Sequence, residues 1–301
     1  MKIVVLAGGD SSEREVSLRS GSAVQAALEA SGHQAEIIDP SVRALDASLS
    51  QDFDVAFPII HGKGGEDGAL QQELEQIGLP YVGSGVAASR LCFHKWDWRQ
   101  FVGPHDIPLA EGDLVDVNSI WKHQLATQPF VLKPIEGGSS IDTVIVRDAG
   151  ELPEKQLREV LAKHRHMLIE QLIAGTEITI GLLGDKALPV IEIIPPVSGE
   201  FDYENKYNGA SQELCPPAHV SETIQKAAQT LAETVHRLCG CRDLSRTDMI
   251  VTPQGDLVVL EVNTLPGMTD QSLLPKAAAE AGIAMPELCG QLAQMAYDRQ
   301  G

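Results

Sequence analysis

Strand-like apolar runs alternate with amphipathic helical patterns over the first 86 residues. The strand-like runs include KIVVL, HQAEIID and DVAFPII, and segments such as EREVSLRSGSAVQAALEASG lie between them. This alternation predicts βαβ units and a parallel sheet with helices on both faces. Ligands bind beyond the carboxyl ends of the strands in such sheets. Two glycine-bearing loops, AGGDSSERE and IHGKGGEDG, occupy that position, but neither has the GxGxxG spacing of a dinucleotide site.

The pattern changes after a helical segment around ASRLCFHKWDWRQF. In QPFVLKPIEGGSSIDTVIV a strand ends at Lys133 and Pro134, and a glycine-serine loop leads into another strand. The lysine precedes the glycines, so the segment is not a Walker A motif. Two interpretations stay open: the loop lies over phosphates and donates backbone N–H groups to them, or it is a simple hairpin turn.

The last third of the chain contains further strands, EITIGLLG and ALPVIEIIP, followed by GEFDYENKYNGASQELCPPAHV. This segment has no periodicity, and connections of that length in compact domains tend to be lids or binding loops. SETIQKAAQTLAETVHRLCG then has the apolar stripe of a helix packed on a core, and MPELCGQLAQMAYDRQ is also helical.

The run TDMIVTPQGDLVVLEVN predicts two antiparallel strands joined at PQGD. With the turn centred between the Gln and the Gly, Asp248 lies opposite Glu261 and Arg246 opposite Asn263, all on one face. Opposed carboxylates repel each other, and a bound cation would remove that penalty. Asp248, Glu261 and Asn263 are therefore candidate oxygen ligands of Mg²⁺. A solvated polar face is the alternative, but the basic Arg246 beside the carboxylates suits phosphoryl chemistry.

Length, composition and net charge limit the classes of function that the chain can have. The chain has 301 residues, which predicts two or three domains, and it is 43% hydrophobic and 22% charged, as in soluble globular proteins. A net charge of -19 argues against a nucleic-acid or anionic-membrane partner, because both call for a basic field. An anionic ligand must then be held by a local basic cluster.

The first residues of the chain and its cysteines indicate the cellular compartment in which we expect the protein. MKIVVLAGG begins directly as a core strand without a signal-peptide pattern, and no apolar stretch reaches the ~18 residues of a membrane span. We therefore expect a cytoplasmic protein. The five cysteines are an odd number without zinc-site spacing, which predicts buried or idle thiols.

Eight motifs, in order and over almost the entire chain, resemble the ATP-grasp superfamily and, within it, the D-alanine-D-alanine ligase family. They are GGDSSEREVSLRSG, HGKGGEDG, PYVGSG, KPIEGGSS, LIEQLIAGTEITI, YENKY, SRTD and LEVNTLPGMTDQSLLP. The resemblance implies a three-domain ATP-grasp fold of mixed α/β and α+β class with an N-terminal Rossmann-like parallel sheet. The expected domains are residues 1–86, 87–173 and 174–301.

The resemblance also implies an activity. It is the ATP-dependent ligation of two D-alanines through an acyl phosphate, for peptidoglycan precursor synthesis, with two Mg²⁺ ions for which Mn²⁺ can substitute. Family members are commonly homodimers. Two alternatives stay open: a related ligase with another acceptor, such as D-lactate, D-serine or another amino acid, and a degenerate nucleotide-binding homologue that no longer ligates.

The resemblance assigns roles to individual residues. Asp248, Glu261 and Asn263 match the metal ligands. The positions that match ATP-binding residues are Lys95, Lys133, Ser140, Glu170, Ile173, Glu177 and Lys206. The positions that match catalytic residues are Glu13, Ser139, Tyr207, Arg246 and Gly267, and those near the amino-acid substrates are His61, Ser272 and Leu273.

Two of these assignments have more specific content. Glu13 resembles the residue that binds the ammonium of the first D-alanine, with Ser139 and Tyr207 as partners that close two loops over the reactants. Arg246 and the backbone N–H of Gly267 resemble the pair that stabilises the transferring phosphoryl group and the tetrahedral oxyanion. The neighbouring Ser12-x-x-Glu15 is typical of a capping box at a helix start.

The chain departs from the family pattern near the glycine-serine loop. Ile135, Glu136 and Gly137 replace a usual serine-arginine-glutamate run, Asp142 replaces a usual glycine, and His94 replaces a common aspartate before Lys95. An acid beside phosphates is unfavourable unless it points away or contacts a metal. Glu136 and Asp142 therefore weigh against the hold of this loop on ATP, and they motivate the alternative of a homologue that no longer ligates.

Overall fold

The computed structural model describes residues 1–138, 140–195 and 211–299. Its first part contains a parallel sheet in the order β2-β1-β3, as the alternating pattern predicts. The strands are β1 (Lys2–Leu6), β2 (Gln34–Ile38) and β3 (Val55–Pro58), and the helices are α1 (Arg14–Ala30), α2 (Leu49–Asp52) and α3 (Ala69–Ile77).

Strand β1 is apolar from Ile3 to Leu6 because both of its faces are covered there. Ile3 and Val5 belong to one hydrophobic core, and Val4 and Leu6 belong to another. Successive side chains of a strand point to opposite faces, and a parallel sheet with two covered faces carries continuous apolar runs. The glycine-bearing loops after β1 and β3 consequently start from buried strand ends.

The start of α1 differs from the expected capping box. The helix begins at Arg14, with Glu13 in the N-cap position and no side-chain capping bond. Ser11 closes the preceding turn instead, because its Oγ accepts from Glu13 N at 3.2 Å and its carbonyl accepts from Arg14 N at 3.2 Å. The capping-box prediction for Ser12 and Glu15 is wrong, since Ser12 lies one residue before the N-cap. Glu13 does lie at the helix N-terminus, where the helix dipole favours a carboxylate.

An antiparallel sheet of four strands forms the middle of the chain, in the order β4-β7-β5-β6. A separate hydrophobic core lies under it, built around Phe130, Leu132, Leu157 and Ile169. The elements are α4 (Val86–Phe93), α5 (Lys95–Val102), β4 (Gly112–Val115), β5 (Phe130–Pro134), β6 (Val144–Val146), α6 (Glu154–Lys163) and β7 (Met167–Gln171), with 3₁₀ turns at Gly103–His105, Ile120–Lys122 and Gln124–Thr127.

A second antiparallel sheet has the order β11-β10-β8-β12-β13, with β9 paired to β8. Its strands are β8 (Thr176–Leu183), β9 (Lys186–Ala187), β10 (Ile191–Ile194), β11 (Gln212–Leu214), β12 (Leu244–Val251) and β13 (Leu257–Asn263). Helix α7 (Glu222–Leu238) packs its apolar stripe, including Ala228, Ala232 and Val235, into the same core as Ile178 and Ile180 of β8. The predicted core helix is confirmed.

The chain returns to the first sheet at its end. After α8 (Leu273–Glu280), helix α9 (Met285–Asp298) buries Leu288 and Leu292 in the core that also contains Val24 and Leu28 of α1. The last described segment therefore packs on the first part of the chain as well as on its own sheet. The division at 86 and 173 stays a prediction.

Two sequence expectations concern the chain as a whole. Within the described ranges, no helix is both long enough and apolar enough to cross a membrane. All five cysteines are free thiols, and four of them are buried. The prediction of buried thiols is confirmed for Cys92, Cys239, Cys241 and Cys289, while Cys215 is only partly buried.

Candidate active site

A cavity of about 840 Å³ lies between the two antiparallel sheets. Every ATP-binding candidate in the described ranges lines this cavity, and so do two of the metal candidates. They are Lys95, Lys133, Ser140, Glu170, Ile173, Glu177, Asp248 and Glu261. These residues come from α5, β5, the glycine-serine loop, β7 and the connection that follows it, β8 and the β12–β13 hairpin, so distant segments of the sequence converge on one space. Lys206 lies outside the described residues.

The two described lysine candidates, Lys95 and Lys133, lie where the glycine-serine loop borders the cavity. Lys95, the first residue of α5, donates from Nζ to Gly137 O at 2.5 Å and lies 3.7 Å from Glu261 Oε2. Burial lowers the pKa of Lys95, and the nearby Glu261 acts in the opposite direction. Lys133 Nζ lies 2.5 Å from Glu170 Oε2. The lysines provide the local positive charge that a chain of net charge -19 needs to hold an anion.

Arg99 is a residue of the site that the sequence reasoning missed. Its Nη1 donates to Glu170 Oε1 at 2.5 Å, and its Nη2 donates to Ala110 O at 2.6 Å. The family resemblance assigned Glu170 to ATP binding only. In the structure its two carboxylate oxygens are also held by Arg99 and Lys133. The available signal was that Arg99 lies four residues after Lys95 on one helix, which puts both on the same face.

The β12–β13 hairpin has the predicted pairing. Asp248 lies opposite Glu261 and Arg246 opposite Asn263. The predicted turn centre is wrong, however, because Val251 pairs with Leu257, which centres the turn on Gln254. The register shifts between Asp248 and Met249, and this irregularity restores the expected pairs.

The hydrogen bonds around Asp248 fix its orientation. Arg246 donates from Nε and Nη2 to the two Asp248 oxygens at 2.9 and 2.8 Å, and Thr179 Oγ1 donates to Oδ1 at 2.6 Å. Asn263 Oδ1 accepts from Leu265 N at 2.7 Å. Two carboxylates and one amide oxygen are the donor types that Mg²⁺ prefers. The three residues share one face of the hairpin, and Asp248 and Glu261 line the cavity, which fits such an ion.

The glycine-serine loop keeps its acid away from the cavity. Ser140, Ile141 and Thr143 line the space, whereas Asp142 Oδ1 lies 2.6 Å from Lys163 Nζ and its Oδ2 lies 2.9 Å from His164 Nε2. Burial alone would raise the pKa of Asp142, but the hydrogen bonds from Lys163 and His164 outweigh it and the pKa is lowered. The departure at this position therefore does not place a carboxylate against phosphates.

The other departures are also tolerated. Glu136 lines the cavity from an exposed position at its rim, and Ile135 O accepts from Lys95 N at 2.8 Å. His94 is the N-cap of α5, where its Nδ1 accepts from Asp97 N at 3.2 Å. An imidazole nitrogen there supplies the acceptor that an aspartate would supply, so the replacement preserves the start of the helix that carries Lys95.

Glu13 and His61 lie on neighbouring loops beneath the glycine-serine loop. Glu13 is buried, and a Cβ added at Gly138 would lie 3.8 Å from its Oε2. His61 is buried too, with Nε2 3.5 Å from Ser20 Oγ and Nδ1 3.6 Å from Glu66 Oε1. Ser139 and Tyr207, the proposed partners of Glu13, lie outside the described residues.

The segment after β13 brings Gly267 and Ser272 together. A Cβ added at Gly267 would lie 2.8 Å from Ser272 Oγ, and that oxygen accepts from Thr269 N at 3.0 Å. Ser272 is the N-cap of α8, and Leu273 is its first residue. Backbone N–H groups in the first turn of a helix have no partner within the helix and attract carboxylates.

Two antiparallel sheets that enclose a lysine-lined cavity, with a carboxylate hairpin along one side, define the chain as an ATP-grasp ligase. The family model for the D-ala D-ala ligase C-terminus matches residues 111–294, and that for the D-ala D-ala ligase N-terminus matches residues 39–84. The chain therefore belongs to the D-alanine-D-alanine ligase family.

Individual relatives extend the similarity over nearly the whole chain. The D-alanine-D-alanine ligase of Gloeobacter violaceus is 42% identical over 305 residues, which covers 99% of this chain and 100% of the relative. That of Xanthobacter autotrophicus is 42% identical over 291 residues, or 95% of each chain.

Solved structures agree with the sequence relatives. The D-alanine-D-alanine ligase of Bacillus anthracis matches with a TM-score of 0.85 at 32% identity, and its complex with ATP matches with 0.82 at 29%; both matches cover 100% of each chain.

Proposed function

We propose that this chain joins two D-alanines to D-alanyl-D-alanine at the expense of ATP, supplying a peptidoglycan precursor. One observation carries the proposal: candidates assigned to ATP and to metal come from separate segments between Lys95 and Glu261 and line one cavity of about 840 Å³. Relatives named D-alanine-D-alanine ligase, about 40% identical over nearly the full length, support the choice of substrate.

The reaction must make a carboxylate electrophilic. In the proposal, the carboxylate of the first D-alanine attacks the γ-phosphorus of ATP, which gives an acyl phosphate and ADP. The amine of the second D-alanine then attacks the acyl carbon, and inorganic phosphate leaves with the electron pair of the broken C–O bond. Charge develops on oxygen in both steps, so electrostatic stabilisation supplies most of the catalysis.

The chain's own residues have separate duties in these steps. Lys95 and Lys133 hold the phosphates, and Lys206 reaches the γ-phosphate. Arg246, which is fixed by its two hydrogen bonds to Asp248, stabilises the transferring phosphoryl group and, with Gly267 N–H, the tetrahedral oxyanion. A guanidinium that is already oriented loses little freedom when the charge appears.

The described residues proposed to bind the amino acids are outside the lining of the ATP cavity, although Glu13 lies near Gly138, which borders it. Glu13 binds the ammonium group of the first D-alanine, and its partners Ser139 and Tyr207 close two loops over the reactants. His61 lies beside this site. The Ser272 hydroxyl and the Leu273 N–H receive the carboxylate of the second D-alanine, which agrees with their position at the start of α8.

Two Mg²⁺ ions are part of the proposal, with Asp248, Glu261 and Asn263 as ligands and Mn²⁺ as a substitute. Bound there, the ions would neutralise charge on the phosphates. Assembly as a homodimer and a cytoplasmic location also belong to the proposal, and both rest on the family resemblance. Light scattering of the purified chain tests the subunit number.

The primary experiment measures phosphate release from Mg-ATP with D-alanine, in parallel with L-alanine and D-lactate, and identifies the product by mass. Release that requires D-alanine and yields the dipeptide supports the proposal. Release with D-alanine and D-lactate together, yielding the mixed ester, would favour a ligase with another acceptor. ATP binding without release would favour a non-ligating homologue, although Asp142, one of the two residues that motivate that alternative, is directed away from the cavity.

A further inference from the structure

Arg99 does not line the ATP cavity, yet it contacts a residue that does. Its guanidinium is buried, with 8% of the residue exposed, and it bonds to Glu170, of which 5% is exposed. The two other partners in the cluster are Lys133 and the carbonyl of Ala110. A buried charge is retained only where it is paired and hydrogen bonded, so this cluster is a built arrangement and not a surface ion pair.

The backbone is shaped to admit Arg99. Gly112 of β4 lies directly opposite Glu170 of β7. A Cβ at Gly112 would lie 2.9 Å from Arg99 Nη2 and 3.1 Å from Glu170 Cγ. The space that a side chain would occupy on β4 is therefore filled by the guanidinium, which reaches one carboxylate oxygen of Glu170 while Lys133 holds the other.

The charges in the cluster explain why two cations share one carboxylate. Glu170 Oε1 accepts from Arg99 and its Oε2 pairs with Lys133. In the proposed function Lys133 binds ATP phosphates, which draws its ammonium away from Glu170. Without a second counter-ion, the buried Glu170 would be left uncompensated at that moment, and it would hold Lys133 back.

We propose that Arg99 is a positioning residue for the nucleotide. It fixes the Glu170 carboxylate toward the cavity and keeps it neutralised, so that Lys133 is free to bind phosphate. This inference rests on the proposed function, because it takes ATP as the ligand of the cavity. It concerns binding rather than ligation, which allows the two to be tested separately.

The test is a double-mutant cycle on the full chain, read as the Kd for a non-hydrolysable ATP analogue by calorimetry. Arg99→Met removes the charge and the two N–H donors of the guanidinium, and we expect the Kd to rise at least about tenfold. Arg99→Lys keeps the charge but cannot bond Glu170 and Ala110 together, and it should lie in between. In the Glu170→Gln background there is no buried carboxylate for Arg99 to neutralise, so adding Arg99→Met should change Kd by less than about threefold.

A matched control and a folding check accompany the cycle. Arg158→Met makes the same substitution at an exposed arginine of α6 whose partners, Glu154 and the Trp121 ring, lie outside the cavity, and it should leave Kd unchanged. Thermal unfolding of every variant reports folding. If Arg99→Met alone does not fold, Arg99→Lys and the double variant still give the comparison.

The outcomes are distinct. A loss of affinity from Arg99→Met that is equally large with and without the Glu170→Gln substitution would overturn the inference, and so would an unchanged Kd in Arg99→Met. A wild-type chain that binds the analogue but releases no phosphate with D-alanine would refute the proposed function while the cycle still tests Arg99. A wild-type chain that does not bind the analogue would refute both.

Discussion

Asp248 faces Glu261 across the β12–β13 hairpin because β13 carries one extra residue. Met249 pairs with Val259, so Leu260 has no partner on β12 and the register shifts between Asp248 and Met249. If the register near the turn continued, Asp248 would pair with Leu260 and Glu261 would point to the other face. A β-bulge commonly redirects side chains beside active sites in this way, and here it brings two carboxylates together at the cavity.

We expect Glu261→Gln to abolish turnover without unfolding the protein. The substitution removes a metal carboxylate, and metal ions supply several kcal/mol of transition-state stabilisation, so the rate of phosphate release should fall by about a hundredfold or more. Asp256→Asn, at the exposed tip of the same hairpin, removes one negative charge away from the cavity and should retain activity. Normal turnover in Glu261→Gln at saturating Mg²⁺ would refute the metal site.

How much of this site can be predicted from sequence depends on the range of the interactions. The pairing of Asp248 with Glu261 follows from strand periodicity and a turn, which are local, and it is confirmed although the turn centre was wrong by half a residue. The bulge at Leu260 has no local signal in an apolar run. The parallel first sheet follows in the same way from alternating patterns.

The contacts that could not be predicted from the sequence join segments that are far apart in the chain. The Arg99–Glu170 pair spans 71 positions in the chain and depends on the opening left by Gly112. The direction of Asp142 depends on Lys163 and His164, which follow from the placement of α6. Residue type alone suggested a carboxylate beside phosphates, and only the fold places it elsewhere.

The tether of Asp142 gives a prediction about ATP affinity. Asp142→Asn removes the charge that pairs with Lys163 and His164, while an asparagine tolerates the left-handed backbone at this position, where φ is 57°. Because Lys163 is largely exposed, the tether contributes at most about 1 kcal/mol. We expect the KM for ATP to rise by no more than about fivefold, with kcat little changed.

The matched control for the tether is Glu159→Gln, which breaks an exposed ion pair with Lys155 on the same helix, α6. Its KM for ATP should equal that of the unaltered chain. Equal KM values for Asp142→Asn and Glu159→Gln would mean that the contacts of Asp142 do not position the glycine-serine loop.

The same ion pair predicts a pH dependence of stability. The pKa of Asp142 is lowered in the folded chain, so its contribution is present above the unfolded-state pKa of about 3.9 and is lost as the pH falls through the folded-state pKa. The stability difference between the unaltered chain and Asp142→Asn, from urea unfolding, should persist from pH 7 to 5 and shrink below pH 4. A difference that stays undiminished well below pH 4 would contradict the ion pair.

Gly267→Ala should impair the binding of the second amino acid. The new Cβ would lie 2.8 Å from Ser272 Oγ, a distance that forces the hydroxyl to move. We expect the KM for D-alanine at the second site to rise by about tenfold, since a displaced hydrogen-bond donor costs about 1.5 kcal/mol. Gly103→Ala is the control, because nothing lies within 4 Å of its added Cβ. Equal D-alanine kinetics in the two variants would separate Gly267 from the proposed carboxylate site.

Asp243 connects three distant parts of the chain and should govern stability rather than chemistry. Its buried carboxylate accepts from Gly83 N at 2.8 Å and pairs with Arg299, which also donates to Tyr81 O at 2.6 Å. Asp243→Asn keeps the side-chain shape and fits a backbone φ of 63°, but it loses the charge. We expect about 2 kcal/mol less stability in urea unfolding, with an unchanged KM for ATP.

The control is Asp298→Asn, at an exposed residue next to Arg299, which should lower the free energy of unfolding by less than about 0.5 kcal/mol. Equal unfolding midpoints for the two variants would show that the last helix is held to residues 81–83 by apolar packing alone.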